Sequence, residues 1–180
     1  MIAAGVDTMP LLLALYRQPE LWNEHRFRTT YPGTPHAQVD DILLRYSDPE
    51  TCEQKSRVMG DEHPVWHAGS AMLPWQDMVL DLMRRVRAYQ LDRLLITRLR
   101  PGARIEPHAD NEGDYVTNRE RQRFHIVLQG LPGSLYHCGD ETVQMLTGTV
   151  WTFDALAEHS LENNSADDRI HLIVDLCLCP

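Results

Sequence analysis

The sequence predicts a mainly β fold, a barrel or sandwich closed by jelly-roll connections with helices against one outer face. Three observations predict it. From Leu94 onward short apolar runs are separated by Gly, Pro, Asp and Asn; in the clearest of these runs apolar and polar residues alternate; and the apolar residues that recur at three- and four-residue spacing lie in the first half of the chain.

Taken in order, Thr8-Met9-Pro10 reads as a capped helix entry leading into Leu11, Leu12, Leu15 and Tyr16, with Pro19 stopping it. "YPGTP" (31–35) is a loop signal, and "DDILLRY" (40–46) reads as a strand. After Pro74, the residues Trp75, Met78, Val79, Leu82, Met83, Val86 and Tyr89 recur at helical spacing, with Asp77, Asp81, Arg84, Arg85 and Arg87 on the other side. Strands are then expected at 94–99, 123–129, 135–138, 142–146, 150–153 and 170–176. The 180 residues suit one domain, with 1–92 as a helix-and-strand flank that furnishes the substrate wall and 93–180 as the main barrel strands.

Composition excludes several classes. With 43% hydrophobic and 24% charged residues the chain is ordinary for a globular protein, and no apolar run approaches the roughly 20 residues of a membrane span. The opening "MIAAGVDTMPLLLALYRQPELW" lacks a basic leader and is cut by Pro10, Arg17 and Pro19, so the expectation is a cytoplasmic protein without a signal peptide. Cys52, Cys138, Cys177 and Cys179 are too scattered for a disulfide framework and are expected as free thiols. A formal net charge of −9 disfavours nucleic acid and anionic membrane as partners, despite the cluster of Arg119, Arg121 and Arg123. A small molecule or peptide is the expected partner; oligomeric state has no signature in the sequence.

Chemistry is concentrated in "IEPHADNEG" (105–113), where His108 and Asp110 stand two residues apart. Extended backbone would turn both to one side. His159, in "WTFDALAEHSLEN" (151–163), supplies a third ligand. Two histidines and a carboxylate form the facial triad of non-haem Fe(II) oxygenases, which leaves about three of six positions open for a bidentate co-substrate and O₂. A dicarboxylate co-substrate such as 2-oxoglutarate also requires a guanidinium fork. Arg169 is the candidate, because it opens "RIHLIVDL" on the face that alternates with Ile170, Leu172, Val174 and Leu176. In "RQRFHIVL" (121–128), Arg123 and His125 share a strand face and could touch one bound anion. His63 and His67 have helical ligand spacing, but Pro64 points to a loop near the site mouth, and Trp66 is read as core.

The stretches "TRLRPGARIEPHAD", "RQRFHIVLQG" and "GTVWTFDALAEHSLENNSADDRIHLIVD" resemble the aspartyl/asparaginyl β-hydroxylases and their relatives among Fe(II)/2-oxoglutarate-dependent oxygenases. The resemblance spans about Thr97 to Leu176. It rests on a Pro-Gly turn before the first ligand, an Arg-x-His strand, an "FDD"-like turn before the second histidine, and an arginine ten residues later. It implies a double-stranded β-helix (jelly-roll, cupin-like) barrel, Fe(II) bound by His108 and His159, and 2-oxoglutarate held by Arg169. Thr97, Arg123 and His125 fall at further co-substrate contacts. The animal protein-hydroxylating members lack the acidic ligand, so Asp110 makes the chain look more like the bacterial branch that contains free-proline hydroxylases. The expected activity is a 2-oxoglutarate-dependent dioxygenase using O₂ to hydroxylate an amino acid, free or within a peptide. A non-catalytic cupin-like protein that binds a metal or small molecule is the alternative, disfavoured because a bare metal site needs no dicarboxylate clamp.

Overall fold

Two apolar layers organise the computed structural model, which describes residues 1–49, 64–110 and 121–179. Cys52, His63 and Arg119 lie outside the described residues.

The N-terminal part runs through helix α1 (Met9–Arg17), a 3₁₀ turn (Pro19–Leu21), helix α2 (Phe27–Thr30) and strand β1 (Val39–Tyr46). After β2 (Val65–Trp66) come the short helix α3 (Gly69–Met72) and helix α4 (Gln76–Val86). The remaining strands are β3 (Ala88–Leu99), β4 (Arg104–His108), β5 (Arg121–Gln129), β6 (Ser134–Cys138), β7 (Glu141–Val143), β8 (Val150–Thr152), β9 (His159–Asn163) and β10 (Arg169–Leu178). A six-stranded antiparallel sheet has the order β2-β1-β3-β10-β5-β8, and a four-stranded one the order β4-β9-β6-β7. Because β1 pairs with β3, the barrel draws on residues before 93.

The large sheet is apolar on its outer face, where Ile42, Leu94, Ile96, Phe124, Ile126, Leu172 and Val174 meet Leu11, Leu15, Val79 and Leu82 of α1 and α4. Each such buried side chain contributes about 1.5–3 kcal/mol of transfer free energy. The helices therefore cover one outer face, as the spacing of their apolar residues predicts. The inner face packs Val39, Leu99 and Val127 against Ile105, Tyr136 and Leu161 of the small sheet, forming a second core between the sheets.

Local departures from the sequence expectation have identifiable causes. Thr8 does not cap α1; its hydroxyl donates to the Leu128 carbonyl at 3.1 Å, and the Asp7 carboxylate instead accepts from the Met9 amide at 3.1 Å. Helix α4 stops at Val86 rather than continuing to Tyr89, because Arg87 adopts a left-handed conformation (φ 57°) and sends its amide back to the Met83 and Arg84 carbonyls. Strand β3 begins directly afterwards. The expected strand at 142–146 shortens to Glu141–Val143, and Met145 turns into the inner core. Trp66 is exposed rather than core, stacked on Trp75 with ring centroids 5.4 Å apart. His67 is buried beside His25, at a ring distance of 5.0 Å. Cys138, Cys177 and Cys179 are free thiols.

Candidate active site

Strand β4 is bulged. Ile105 faces Leu161 and His108 faces His159, so β4 uses one more residue than β9 between these pairs. Pro107 lies in the gap, where a residue without an amide proton loses no ladder bond. The bulge turns His108 to the same cavity as Ile105, three residues earlier. Direct cross-strand pairing then sets the His108 and His159 rings 4.3 Å apart.

Asp110 joins them from beyond the strand, not from an extended i, i+2 pair within it. Its amide donates to the Ala155 carbonyl at 2.9 Å, which ties the chain after β4 to the turn before β9. One ligand atom from each of His108, Asp110 and His159 lies within 4.8 Å of the others. The Nε2 atoms of the two histidines are 3.8 and 3.9 Å from Asp110 Oδ1. Both rings are oriented by their other nitrogen: His108 Nδ1 lies 2.8 Å from the Glu106 carbonyl and His159 Nδ1 2.9 Å from the Ala157 carbonyl. A carbonyl only accepts, so each Nδ1 carries the proton and each Nε2 presents a lone pair toward the common point. Burial lowers the His159 pKa, which keeps that ring neutral and able to bind a cation.

The other carboxylate oxygen of Asp110 accepts from Arg123 Nη1. Arg123 is in turn gripped side-on by Asp175, with Nε–Oδ1 2.8 Å and Nη2–Oδ2 3.0 Å. Burial would raise the Asp175 carboxyl; the Arg123 guanidinium overrides it and holds the pKa below the ordinary value. The Asp175–Arg123–Asp110 chain thus aims the acidic ligand from β10 through β5. Arg123 and His125 do share a strand face, but Arg123 is engaged by carboxylates of the protein itself.

A cavity of about 440 Å³ opens between the sheets. Its lining includes the three clustered residues together with Thr97, Arg123, His125 and Arg169. Every sequence-predicted site residue therefore reaches one space. Arg169 is buried, and among the described residues its only hydrogen-bond partner is His171 Nδ1 at 3.1 Å, a neutral group. Burial without an acidic partner lowers its pKa to about 9. Thr97 is buried beside it on β3 and pairs in register with His171. His125 Nδ1 stands 3.3 Å from His171 Nδ1, and burial followed by the Arg169 charge pushes the His125 pKa well down. Among the described residues, the buried atoms His125 Nε2, His171 Nε2 and Tyr136 Oη have no hydrogen-bond partner. Such a group of polar atoms is costly unless a ligand satisfies it.

His171, Tyr136, Phe153, His36 and Arg28 complete the surroundings without having been singled out in the sequence. His171 shares a strand face with Arg169 in "RIHLIVDL", so the signal was present there; the others come from separate strands and loops whose register the sequence does not display. Asn163 is a further hidden determinant. Fully buried, its amide donates to the Leu99 and Asp167 carbonyls (2.8 and 2.9 Å) while its oxygen accepts from the Ser165 amide and hydroxyl. These bonds fix the turn that connects the His159 strand to the Arg169 strand.

Fold and site together define an oxygenase of the double-stranded β-helix class, with a two-histidine, one-carboxylate cluster at the mouth of the barrel. Residues 78–177 match the aspartyl/asparaginyl beta-hydroxylase family, and the chain belongs to that family of 2-oxoglutarate-dependent dioxygenases. Among solved structures, an oxidoreductase of the 2OG-Fe(II) oxygenase family from Burkholderia pseudomallei is similar over 91% of this chain and 77% of its own, at 17% identity and a TM-score of 0.54. A cupin domain from Bordetella pertussis aligns over 48% of this chain and 82% of its own, at 16% identity and a TM-score of 0.37. A predicted oxalate decarboxylase from Thermotoga maritima aligns over 59% and 76% respectively, at 20% identity and a TM-score of 0.38. None of the curated proteins matches.

Proposed function

We propose that the protein uses Fe(II), 2-oxoglutarate and O₂ to hydroxylate a C–H bond of an amino acid, free or within a peptide. His108, Asp110 and His159 would hold the iron. The donor set fits: two neutral imidazoles with lone pairs aimed inward and a carboxylate oriented from behind suit Fe(II) and leave part of its coordination sphere open. When bound, the iron and the keto acid supply the O₂ activation that places one oxygen atom in the substrate and the other in succinate, with release of CO₂.

The observation that carries this reading is the solitary guanidinium of Arg169, buried in the cavity beside the triad with no acidic partner among the described residues. An arginine with only a neutral neighbour is complementary to a carboxylate that arrives as a ligand. The far carboxylate of 2-oxoglutarate would bind there, with Thr97 on the adjacent strand and the Tyr136 hydroxyl, unpartnered among the described residues, able to donate a hydrogen bond. Leu161, Ile105 and Phe153 line the same cavity, and such apolar walls strengthen the electrostatics of a buried guanidinium. The net charge of −9 supports a small-molecule or peptide partner over nucleic acid.

Incubation of the purified protein with Fe(II), ascorbate, 2-oxoglutarate and panels of amino acids and short peptides tests the proposal. Succinate release together with a substrate mass gain of one oxygen is expected. Tight metal binding without 2-oxoglutarate binding or succinate would favour a cupin-like binding protein instead.

A further inference from the structure

A second arginine reaches the same cavity by a different route. Arg28, in the short helix α2, is buried and bound side-on by the buried Asp41 of β1, with Nε–Oδ2 2.8 Å and Nη2–Oδ1 2.9 Å. This pairing occupies one edge of the planar guanidinium. The adjacent edge, formed by Nη1 and the second proton of Nη2, has no hydrogen-bond partner among the described residues, although the side chain lines the cavity. A guanidinium clamped on one edge is a rigid two-donor fork on the next.

The rest of that wall is also poised for a polar ligand. His36 lines the cavity, its buried Nδ1 without a hydrogen-bond partner among the described residues, and its ring meets His108 edge-on at a centroid distance of 5.0 Å. The segment is fastened in place: Thr34 Oγ1 donates to the Arg28 carbonyl at 2.9 Å, and the Glu106 amide of β4 donates to the Pro35 carbonyl at 3.3 Å. The wall is therefore anchored to the strand that carries His108. It is also separate from the Arg169 subsite. Asp41 is in register with Thr97, and Thr97 with His171, so two strand spacings, roughly 10 Å, separate Asp41 from His171.

We propose that Arg28, preset by Asp41 and flanked by Tyr31 and His36, is the receptor for a carboxylate of the molecule being oxidised. This rests on the oxygenase reading above and narrows its substrate to a species with a free carboxylate, an amino acid or an acidic or C-terminal peptide group. Charge supports the assignment. Arg123 is engaged by Asp110 and Asp175, and Arg169 would be matched by the co-substrate, so among the described arginines lining the cavity Arg28 is the one that offers an open fork to a second anion.

The test uses the whole protein loaded with Fe(II) and 2-oxoglutarate under argon, probed by calorimetry and thermal shift with the free L-amino acids and, for each, its carboxamide. At least one free acid should bind without displacing 2-oxoglutarate, and its amide should bind about 10- to 100-fold more weakly, the range for the loss of one charged hydrogen bond. In Arg28→Gln, and in Arg28→Lys, which retains a cation for Asp41 but lacks the planar fork, that preference should vanish while 2-oxoglutarate affinity stays unchanged. The proposal is overturned if no acid binds, if acid and amide bind alike, if binding competes with 2-oxoglutarate, or if Arg28→Lys keeps the preference. Should both variants fail to fold, the wild-type acid and amide comparison still decides. Absence of 2-oxoglutarate binding in the presence of a carboxylate preference would count against the oxygenase reading and not against Arg28.

Discussion

Replacing Arg169 with methionine separates an arginine that holds the fold together from one kept for a ligand, because the two roles predict opposite changes in stability. In the folded chain the guanidinium is buried with one neutral partner, and its pKa falls to about 9. Folding thus disfavours the charged form: at neutral pH the folded state bears the whole penalty, which recedes only as pH rises from about 9 toward the ordinary arginine value. The penalty is on the order of a few kcal/mol. Methionine fills a similar length without the charge, so Arg169→Met loaded with Fe(II) alone should melt at or above wild type. With 2-oxoglutarate at 100 times its Kd, wild type gains about 2.7 kcal/mol. That corresponds to about 5–11 °C for a chain of this size. Truncating one member of a buried charge pair costs about 2–5 kcal/mol, or about 30- to 4,000-fold in affinity. At the low end of that range the variant retains less than about 1 kcal/mol of the ligand-induced gain. Differential scanning fluorimetry under argon, with and without 2-oxoglutarate, reads both quantities. A variant that loses several degrees unliganded and keeps the full 2-oxoglutarate shift would refute the reasoning.

Three other outcomes follow from the same geometry. Arg123→Lys can reach one carboxylate but not clamp Asp175 while orienting Asp110, so Fe(II) affinity in anaerobic titration should fall about 10- to 100-fold; unchanged affinity would mean that Asp110 is positioned without the guanidinium. Burial depresses the pKa of His125 and His171 well below the ordinary imidazole value, so the unfolded chain takes up protons near pH 6.5 that the folded chain refuses. Stability to denaturant should decline as pH falls from 6.5, by up to about 1.4 kcal/mol per pH unit for each such ring, and a flat profile between pH 7 and 5 would contradict this. At Gly130 a Cβ would come within 2.2 Å of the Met145 carbonyl oxygen and 2.8 Å of Val127 Cγ1, so Gly130→Ala must shift backbone at the end of β5. It should cost about 1–3 kcal/mol in chemical denaturation.

What could be read in the sequence depended on how far each contact reaches along the chain. Helix α4 and strands β5 and β10 were legible because their apolar faces repeat over nine or more residues and meet one continuous core. His108, Asp110, His159 and Arg169 were legible through their residue types and order. Strands β4 and β9, which carry the two histidines, were not, since each has five residues and β4 is bulged around a proline, leaving too few alternations to register. Arg28 and His36 were invisible for a further reason: a short helix and a Pro-Gly loop carry no periodic signal, and their place at the cavity is set by hydrogen bonds to β1 and β4.

This division has a mechanical consequence. The histidines belong to the small sheet, while Arg169, Thr97, His125 and the Arg123–Asp175 clamp belong to the large one. Asp110 is the residue tied to both, through its amide to the turn before β9 and through its carboxylate to Arg123 on β5. The distance between a metal held by the histidines and an anion held by Arg169 is therefore set by how the two sheets pack, and the inner core of Leu99, Val127, Ile105 and Leu161 determines that packing. A core substitution such as Val127→Ala, which touches neither ligand, should then impair 2-oxoglutarate binding more than Fe(II) binding. The three metal ligands touch the large sheet through the Asp110–Arg123 contact, whereas on the proposed reading the keto acid would span both sheets along its whole length. Equal losses of the two affinities would show that the sheets move as one unit and that their packing does not set the span.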